Sequence, residues 1–269
     1  MKNHNRLIAF GDSFVWGSEL EDCLEIETPL IEVLNNPTRY SKELKIFQDR
    51  KIGPCSEINL NGEQCTPSLG YSLSTWPALL ANQLNLDYKC VASPGISNQS
   101  IIRRLVKFLP DLTSSDLIVI NWTFIDRWDY FDINEIRVEK QWKTLRPTSN
   151  NKTKIEKFYF EAIQSELWNK WESLRAIMLA VYLLKSRGID FIMTLEDKLP
   201  FDKNFHNPSY ITHAQDEVKN HINWFDDDGF YYWSVKHGFS RGKQNDHPLE
   251  EAHQAAFEYI IENQWHLKF

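Results

Sequence analysis

The chain has 269 residues, of which 42% are hydrophobic and 13% aromatic, enough apolar material for one large core. Its 30 Lys and Arg residues against 37 Asp and Glu residues give a net charge of −7, with no conspicuous basic run. Nucleic acids and anionic membranes both attract clustered positive charge. We therefore expect neither as a partner.

The start of the chain, MKNHNRLIAFGDSF, offers only a short apolar run before a glycine and an aspartate. This fits neither a signal peptide nor an anchor, and no stretch approaches the roughly 18 apolar residues of a membrane span. We expect a cytoplasmic protein. Four cysteines without CxxC spacing predict free thiols, and no HExxH, P-loop or dinucleotide glycine pattern is present. We expect no metal and no cofactor.

The first half of the chain alternates short apolar runs with segments of helical spacing. Leu7–Phe10 predicts a buried strand, and the polar residues at about 19–71 are interpreted as an insertion with some helix near 29–34. The pattern then predicts a helix in 74–85, a second strand in 86–92, a helix from Asn98 to about Pro110 and a third strand in 115–122.

The second half continues this alternation. We expect an insertion at about 129–155, a long helix over 154–188 that is either straight or bent, a fourth strand in 189–195, a fifth in 229–239 and a closing helix in 248–265. Strands that alternate with helices predict one domain over 1–269, a three-layer α/β/α fold with a flavodoxin-like parallel sheet of about five strands and helices on both faces.

Polar side chains follow each of the first three strands. Ser13 comes after the first strand, the Gly95–Asn98 turn after the second, and Asn121–Thr123 at the end of the third. Sites in open parallel sheets form beyond the carboxyl ends of the strands. These three clusters are therefore predicted to meet at one edge of the sheet.

Taken together and in order, these pieces resemble the SGNH/GDSL hydrolase superfamily. Gly11-Asp12-Ser13-Phe14 matches the nucleophile motif, and Gly95 in ASPGISN matches the glycine after the second strand. HPLEEAH from His247 matches the C-terminal block, except that Ala252 replaces its glycine. The resemblance spans residues 7 to about 263. It implies Ser13 as nucleophile, His247 as general base, and backbone N–H groups of Ser13 and Gly95 in an oxyanion hole. Asp12 is expected to cap the turn.

One departure from the family concerns the oxyanion hole. The family has Gly-x-Asn-Asp after the third strand, with the asparagine side chain as a donor, whereas this chain reads NWTFIDR over 121–127. Thr123 falls nearest to that position, and Asn98 in the preceding turn is a second candidate donor. Each also has a structural alternative, since Asn98 could cap a helix and Thr123 could support the loop.

A second departure concerns the acid that orients the histidine. The family places an aspartate three residues before the histidine, but this chain has Gln244 there. Asp246 is adjacent to His247, and a tight turn would let it hold the imidazole. A backbone carbonyl or a distant acid such as Asp226–Asp228 remains the alternative.

The resemblance implies a serine-dependent ester hydrolase that works through an acyl-enzyme. We expect short acyl groups on a carbohydrate or small ester as the substrate, because aromatic residues recur in the predicted site loops. These are Trp122, Trp128, Tyr130, Trp224, Tyr231, Tyr232 and Trp233. The alternative is a carbohydrate-binding protein on the same fold with lost or retuned hydrolysis, because two signature blocks are altered.

Overall fold

The computed structural model describes residues 4–20, 38, 71–136, 141–147, 153–203, 207–243 and 245–265. Within these ranges one sheet has four parallel strands in the order β2-β1-β3-β6, and a separate antiparallel pair joins β4 and β5. The strands are β1 Arg6–Phe10, β2 Asp87–Cys90, β3 Asp116–Trp122, β4 Trp128–Phe131, β5 Trp142–Leu145 and β6 Asp190–Leu195.

The α-helices that follow these strands cover the sheet. They are α1 Ser13–Trp16, α2 Trp76–Gln83, α3 Asn98–Phe108, α4 Lys154–Phe158, α5 Glu166–Ser186, α6 Ser209–Val218, α7 Phe230–Lys236 and α8 Glu250–Glu262. Short 3₁₀ segments lie at Leu109–Asp111, Leu199–Phe201 and Lys219–His221, and a π-helical turn at Tyr159–Ile163.

Alternate residues of each central strand enter opposite cores, because successive side chains of a strand point to opposite faces. Ile8 and Phe10 pack with α3, α5 and α6, whereas Leu7 and Ala9 pack with α2, α7 and α8. Because both faces of the sheet are covered, Leu7–Phe10 of β1 are all apolar and buried. The predicted three-layer α/β/α architecture is confirmed.

Two predicted elements differ from the structure. Residues 229–239 were expected to hold a fifth strand, but they form α7. Their aromatic content is typical of a strand, yet the buried positions Phe230, Trp233 and Ser234 have the spacing of one helix face. The long helix expected over 154–188 is interrupted: after the π-helical turn, Ser165 caps a new helix by accepting from the Trp168 N–H.

The first predicted insertion lies almost wholly outside the described residues, together with its predicted helix near 29–34 and with Cys23, Cys55 and Cys65. The described cysteine, Cys90, is a free thiol. The second insertion carries most of the β4–β5 pair. No helix in the described ranges is long and apolar enough to cross a membrane.

Candidate active site

Ser13 stands where β1 turns into α1. Asp12 is the N-cap of this one-turn helix, and its Oδ1 accepts the backbone N–H of Phe14 at 3.1 Å, as the predicted capping role requires. With the cap supplied by Asp12, the Ser13 hydroxyl is left for another partner. Its Oγ lies 2.7 Å from Nε2 of His247, a residue 234 positions away in the chain.

His247 is presented by a tight turn just before α8. The Gly242 N–H donates to the His247 carbonyl at 2.8 Å, and the Leu249 N–H donates to the Ser240 carbonyl at 3.1 Å. The Phe14 ring meets the imidazole edge-on with centroids 4.9 Å apart. Backbone bonds on one side and an aromatic ring on the other hold the imidazole against the serine.

The other ring nitrogen of His247 is bound by Glu19, whose Oε2 lies 2.8 Å from Nδ1. A carboxylate can only accept, so Nδ1 carries the proton and the lone pair of Nε2 faces the Ser13 hydroxyl. The same Oε2 accepts the backbone N–H groups of Asn245 at 3.1 Å and His247 at 3.3 Å. Glu19 therefore fixes both the tautomer and the turn that carries the histidine.

Local backbone geometry brings Glu19 to this place. Helix α1 ends at Gly17, whose φ of 84° reverses the chain after a single turn, and Glu19 itself has a φ of 69°. The carboxylate packs directly against Gly242, where any side chain would collide with it. A glycine at 242 is thus required to leave room for the acid.

The prediction that Asp246 orients His247 is wrong. With a φ of 62°, Asp246 directs its carboxylate to the Tyr231 hydroxyl at 2.8 Å and to the Arg241 guanidinium at 2.7 Å. The tight turn exists, but its left-handed residue points the side chain away from the ring. The alternative acids are also engaged elsewhere: Asp226 accepts from the Trp233 indole and Asp228 pairs with Lys198.

Ser13 and His247 open into a cavity of about 830 Å³. Its lining combines aromatic, charged and backbone groups. The residues are Ser13, Phe14, Ser18, Pro94, Gly95, Phe124, Asp126, Arg127, Arg146, Pro147, Tyr231, Tyr232, Asn245, Asp246 and His247. Gly95 adopts a φ of 73°, and a side chain there would collide with the Arg146 guanidinium, so this turn demands glycine. The cavity thus brings together the serine, the histidine and the predicted glycine.

The two predicted side-chain donors of the oxyanion hole, Asn98 and Thr123, serve other partners. Both amide protons of Asn98 are donated, to the Thr123 carbonyl and the Ser173 hydroxyl at 3.0 Å each. The Thr123 hydroxyl donates to Oδ2 of Asp12 at 2.7 Å, and neither residue is among those lining the cavity. These two assignments are therefore wrong. Ser97, not Asn98, caps α3.

Buried carboxyl groups lie near Asp12. Asn121 donates its amide to Glu196, the residue after β6, and burial together with the charge of Asp12 raises the pKa of Glu196 well above its usual range. Burial likewise raises the pKa of Asp197 to about 7. Burial and the neighbouring Asp12 charge thus both favour the protonated form of Glu196.

Glu19 is the site residue that the sequence interpretation missed. The sequence interpretation places it at the edge of the insertion at about 19–71 and considers acids only near His247 and in one acidic cluster. The sequence does carry a signal, which is a carboxylate six residues after Ser13 and two residues after Gly17. So short a separation keeps Glu19 near Ser13.

No family model matches this chain, and no curated protein does. Solved structures do show similarity. One is a member of the lipolytic protein G-D-S-L family from Veillonella parvula (11% identity, TM-score 0.44, 96% of each chain covered).

Two others are esterases. The acetyl xylan esterase Est2A of the rumen bacterium Butyrivibrio proteoclasticus has 12% identity and a TM-score of 0.42, with 98% of this chain and 65% of that chain covered. A family two carbohydrate esterase from Clostridium thermocellum has 13% identity and a TM-score of 0.42, with 98% and 66% covered. Proteins named for the G-D-S-L family are thus found among solved structures similar to this chain.

Proposed function

We propose that this protein is a serine-dependent ester hydrolase in which Ser13, His247 and Glu19 form the catalytic chain. The observation that carries the proposal is the pair of distances on His247, 2.7 Å from Nε2 to Ser13 Oγ and 2.8 Å from Nδ1 to Glu19 Oε2. A serine hydroxyl becomes a nucleophile only when an oriented base removes its proton. This arrangement supplies the base and the group that orients it.

In the first half-reaction the Ser13 oxygen attacks the ester carbonyl carbon while Nε2 of His247 takes the hydroxyl proton. The carbonyl electron pair moves onto its oxygen and produces a tetrahedral oxyanion, and Glu19 stabilises the imidazolium. When the oxyanion collapses, the bond to the leaving alkoxide breaks. Nε2 returns its proton to that alkoxide, leaving an acyl group on Ser13.

In the second half-reaction a water molecule replaces the alcohol. His247 takes a proton from this water, its oxygen attacks the acyl carbon, and a second oxyanion forms. Collapse breaks the bond to Ser13 Oγ, which regains its proton from Nε2. The acid product leaves and the enzyme is restored, with no cofactor consumed.

The cavity supports a small or carbohydrate-linked ester as the substrate. At about 830 Å³ it holds a compact molecule, and Phe124, Tyr231 and Tyr232 offer ring surfaces beside Ser13. Sugar rings stack well on such faces because they present apolar C–H groups to an aromatic ring. Short acyl groups on a carbohydrate therefore suit this site better than long chains.

Labelling with a fluorophosphonate probe tests the nucleophile directly. Peptide mapping is expected to find the phosphonyl group on Ser13 in the wild-type protein and no label in Ser13→Ala. A wild-type protein that stays unlabelled, and that hydrolyses no aryl acetate or acetylated sugar, would instead favour the carbohydrate-binding alternative.

Activity measurements on the same variants provide the quantitative test. Ser13→Ala and His247→Ala should each reduce kcat/KM for an aryl acetate by at least about 10⁴-fold with little change in Tm. The double variant should lose no more than either single variant, because both residues act in one step. Equal turnover by wild type and Ser13→Ala would rule out the mechanism.

A further inference from the structure

Arg127 is a charged residue of the cavity whose role the catalytic chain does not explain. It follows β3 and lines the same cavity as Ser13 and His247. Nη1 donates to Oδ2 of Asp12 at 2.6 Å and to the Ile96 carbonyl at 3.1 Å. Asp12 immediately precedes Ser13 and Ile96 immediately follows Gly95. The guanidinium is therefore fixed beside both turns that border the nucleophile.

The remaining donors of Arg127 have no protein acceptor in the described part of the chain. A guanidinium carries five N–H groups, and the two on Nη1 are used by Asp12 and Ile96. The side chain is only 13% exposed. Neither Nε nor Nη2 of Arg127 is fully buried, so solvent can still reach both. The N–H groups of Nε and Nη2 are thus available to a molecule in the cavity.

The carboxyl groups around Arg127 do not use all of its hydrogen-bonding capacity, so its guanidinium can bind a further negative charge. Asp12 already accepts hydrogen bonds from the Phe14 N–H and the Thr123 hydroxyl as well as from Arg127. Burial raises the pKa values of Glu196 and Asp126, and the charge of Arg127 opposes both shifts. Asp12 is the only described residue that forms an ion pair with Arg127.

We infer that Arg127 is a third donor to the oxyanion, through the N–H groups of Nε or Nη2, and this inference rests on the proposed hydrolysis. As the bond from Ser13 Oγ to the carbonyl carbon forms, the carbonyl oxygen takes the electron pair and its negative charge. A fixed guanidinium aimed at that charge donates a charge-assisted hydrogen bond. This assignment also supplies a side-chain donor in a site where Asn98 and Thr123 donate their hydrogen bonds to other groups of the protein.

Arg127→Lys tests the inference while keeping a cation for Asp12. The single ammonium group of a lysine would pair with the buried carboxylate of Asp12. The variant would then lack the additional N–H groups that the guanidinium offers to the cavity. We expect kcat for an aryl acetate to fall about 10²- to 10³-fold with KM changed only slightly. The affinity for phenylboronic acid, which forms a tetrahedral anionic adduct with a catalytic serine, should fall by a similar factor.

Thr123→Val is the matched control, because it removes another hydrogen bond to the same Asp12 oxygen without changing a cavity donor. We expect this variant to lose less than about fivefold in kcat. If Thr123→Val loses as much as Arg127→Lys, Arg127 acts only by supporting Asp12 and the inference is overturned. Arg127→Lys with kcat and boronate affinity within about threefold of wild type overturns it as well.

A second pair of variants covers the case in which Arg127→Lys does not fold. Asp12→Asn removes the buried charge, and Asp12→Asn with Arg127→Met then removes the guanidinium without leaving an unpaired ion. The double variant should turn over about 10²-fold more slowly than Asp12→Asn alone, and equal rates overturn the inference. A wild-type protein without Ser13-dependent hydrolysis overturns the proposed function first, and the two failures are thereby distinguished.

Discussion

Two histidines near the end of the chain, His247 and His253, show how environment divides one residue type between two roles. His247 bonds Ser13 and Glu19 at the edge of the cavity. His253, six residues later on α8, lies in the core and accepts the backbone N–H of Trp76 through Nδ1 at 3.3 Å. Burial, helped by the neighbouring His247, lowers the pKa of His253 to about 3.

The comparison teaches that the partner of a histidine decides its function. His247 has a carboxylate on one nitrogen and a hydroxyl on the other, so it can take a proton and be stabilised with it. His253 receives an N–H from the first turn of α2, where Thr75 makes no side-chain cap, and it must stay neutral to accept that bond. In the proposed mechanism His247 moves a proton, whereas His253 takes the place of a helix cap.

Among the variants that test this comparison, Glu19→Gln is expected to have the largest effect, which is a loss of activity that depends on His247. An amide in place of the carboxylate can donate a hydrogen bond to Nδ1, and this favours the tautomer whose proton is on Nε2. A protonated Nε2 cannot accept the proton of the Ser13 hydroxyl. We expect kcat/KM for an aryl acetate to fall about 10⁴-fold with a small change in Tm. Steady-state kinetics and thermal unfolding of the purified variant would measure both. A loss of less than tenfold would show that Glu19 is not the orienting acid.

The second expected effect is on stability and belongs to His253. In the unfolded chain its pKa is about 6.5, whereas in the folded protein it is about 3. Between these values the unfolded state binds a proton that the native state does not. The free energy of unfolding therefore falls as pH falls through this window, by about 3 kcal/mol between pH 7 and pH 4 from this group.

His253→Asn measures that contribution, because asparagine keeps an acceptor for the Trp76 N–H but does not titrate. Urea unfolding at pH 8 should find the variant less stable than wild type by about 1–3 kcal/mol because of the cavity left in the core. At pH 4 the difference should shrink or reverse. His213→Asn, at an exposed position of α6, is the control for the effect of replacing a histidine by asparagine where the side chain is not buried. A difference that does not vary with pH would contradict the buried neutral state of His253.

Asp246→Asn should have the smallest effect, although Asp246 is adjacent to His247. Its carboxylate pairs with Arg241 and Tyr231 near the cavity rim, and exposed ion pairs contribute little. We expect kcat/KM to change less than fivefold and the pH dependence of kcat/KM to keep its shape. A loss of 10³-fold or more would restore Asp246 as the orienting acid and displace Glu19.

Much of the fold follows from local sequence patterns. Apolar runs such as Leu7–Phe10 and the apolar residues of β3 are too short for helices and too uniform for exposed strands, so they indicate a buried parallel sheet. The same reasoning failed for α7, where aromatic composition outweighed the spacing of Phe230 and Trp233. Composition alone does not distinguish a buried aromatic helix from a strand.

The candidate site was predictable where sequence order fixes position and unpredictable where a single dihedral angle decides. Ser13 and Gly95 follow strands of the sheet, and the structure places both in one cavity with His247. The acid depended on left-handed residues instead: a positive φ turns Asp246 outward, while positive φ values at Gly17 and Glu19 bring the Glu19 carboxylate inward. Such angles are set by the packing of distant segments.

The location of Glu19 in the chain has a consequence for folding. Ser13 and Glu19, the proposed nucleophile and acid, lie in one short segment, so bringing them together costs almost no loop-closure entropy. Only His247, 234 residues from Ser13, must be brought in from a distant part of the chain. That approach depends on the docking of the C-terminal helix α8 onto α2. A partial opening that releases this segment would stop turnover while amide protons of the sheet remain protected from exchange. Activity is therefore a more sensitive reporter of C-terminal docking than global melting is.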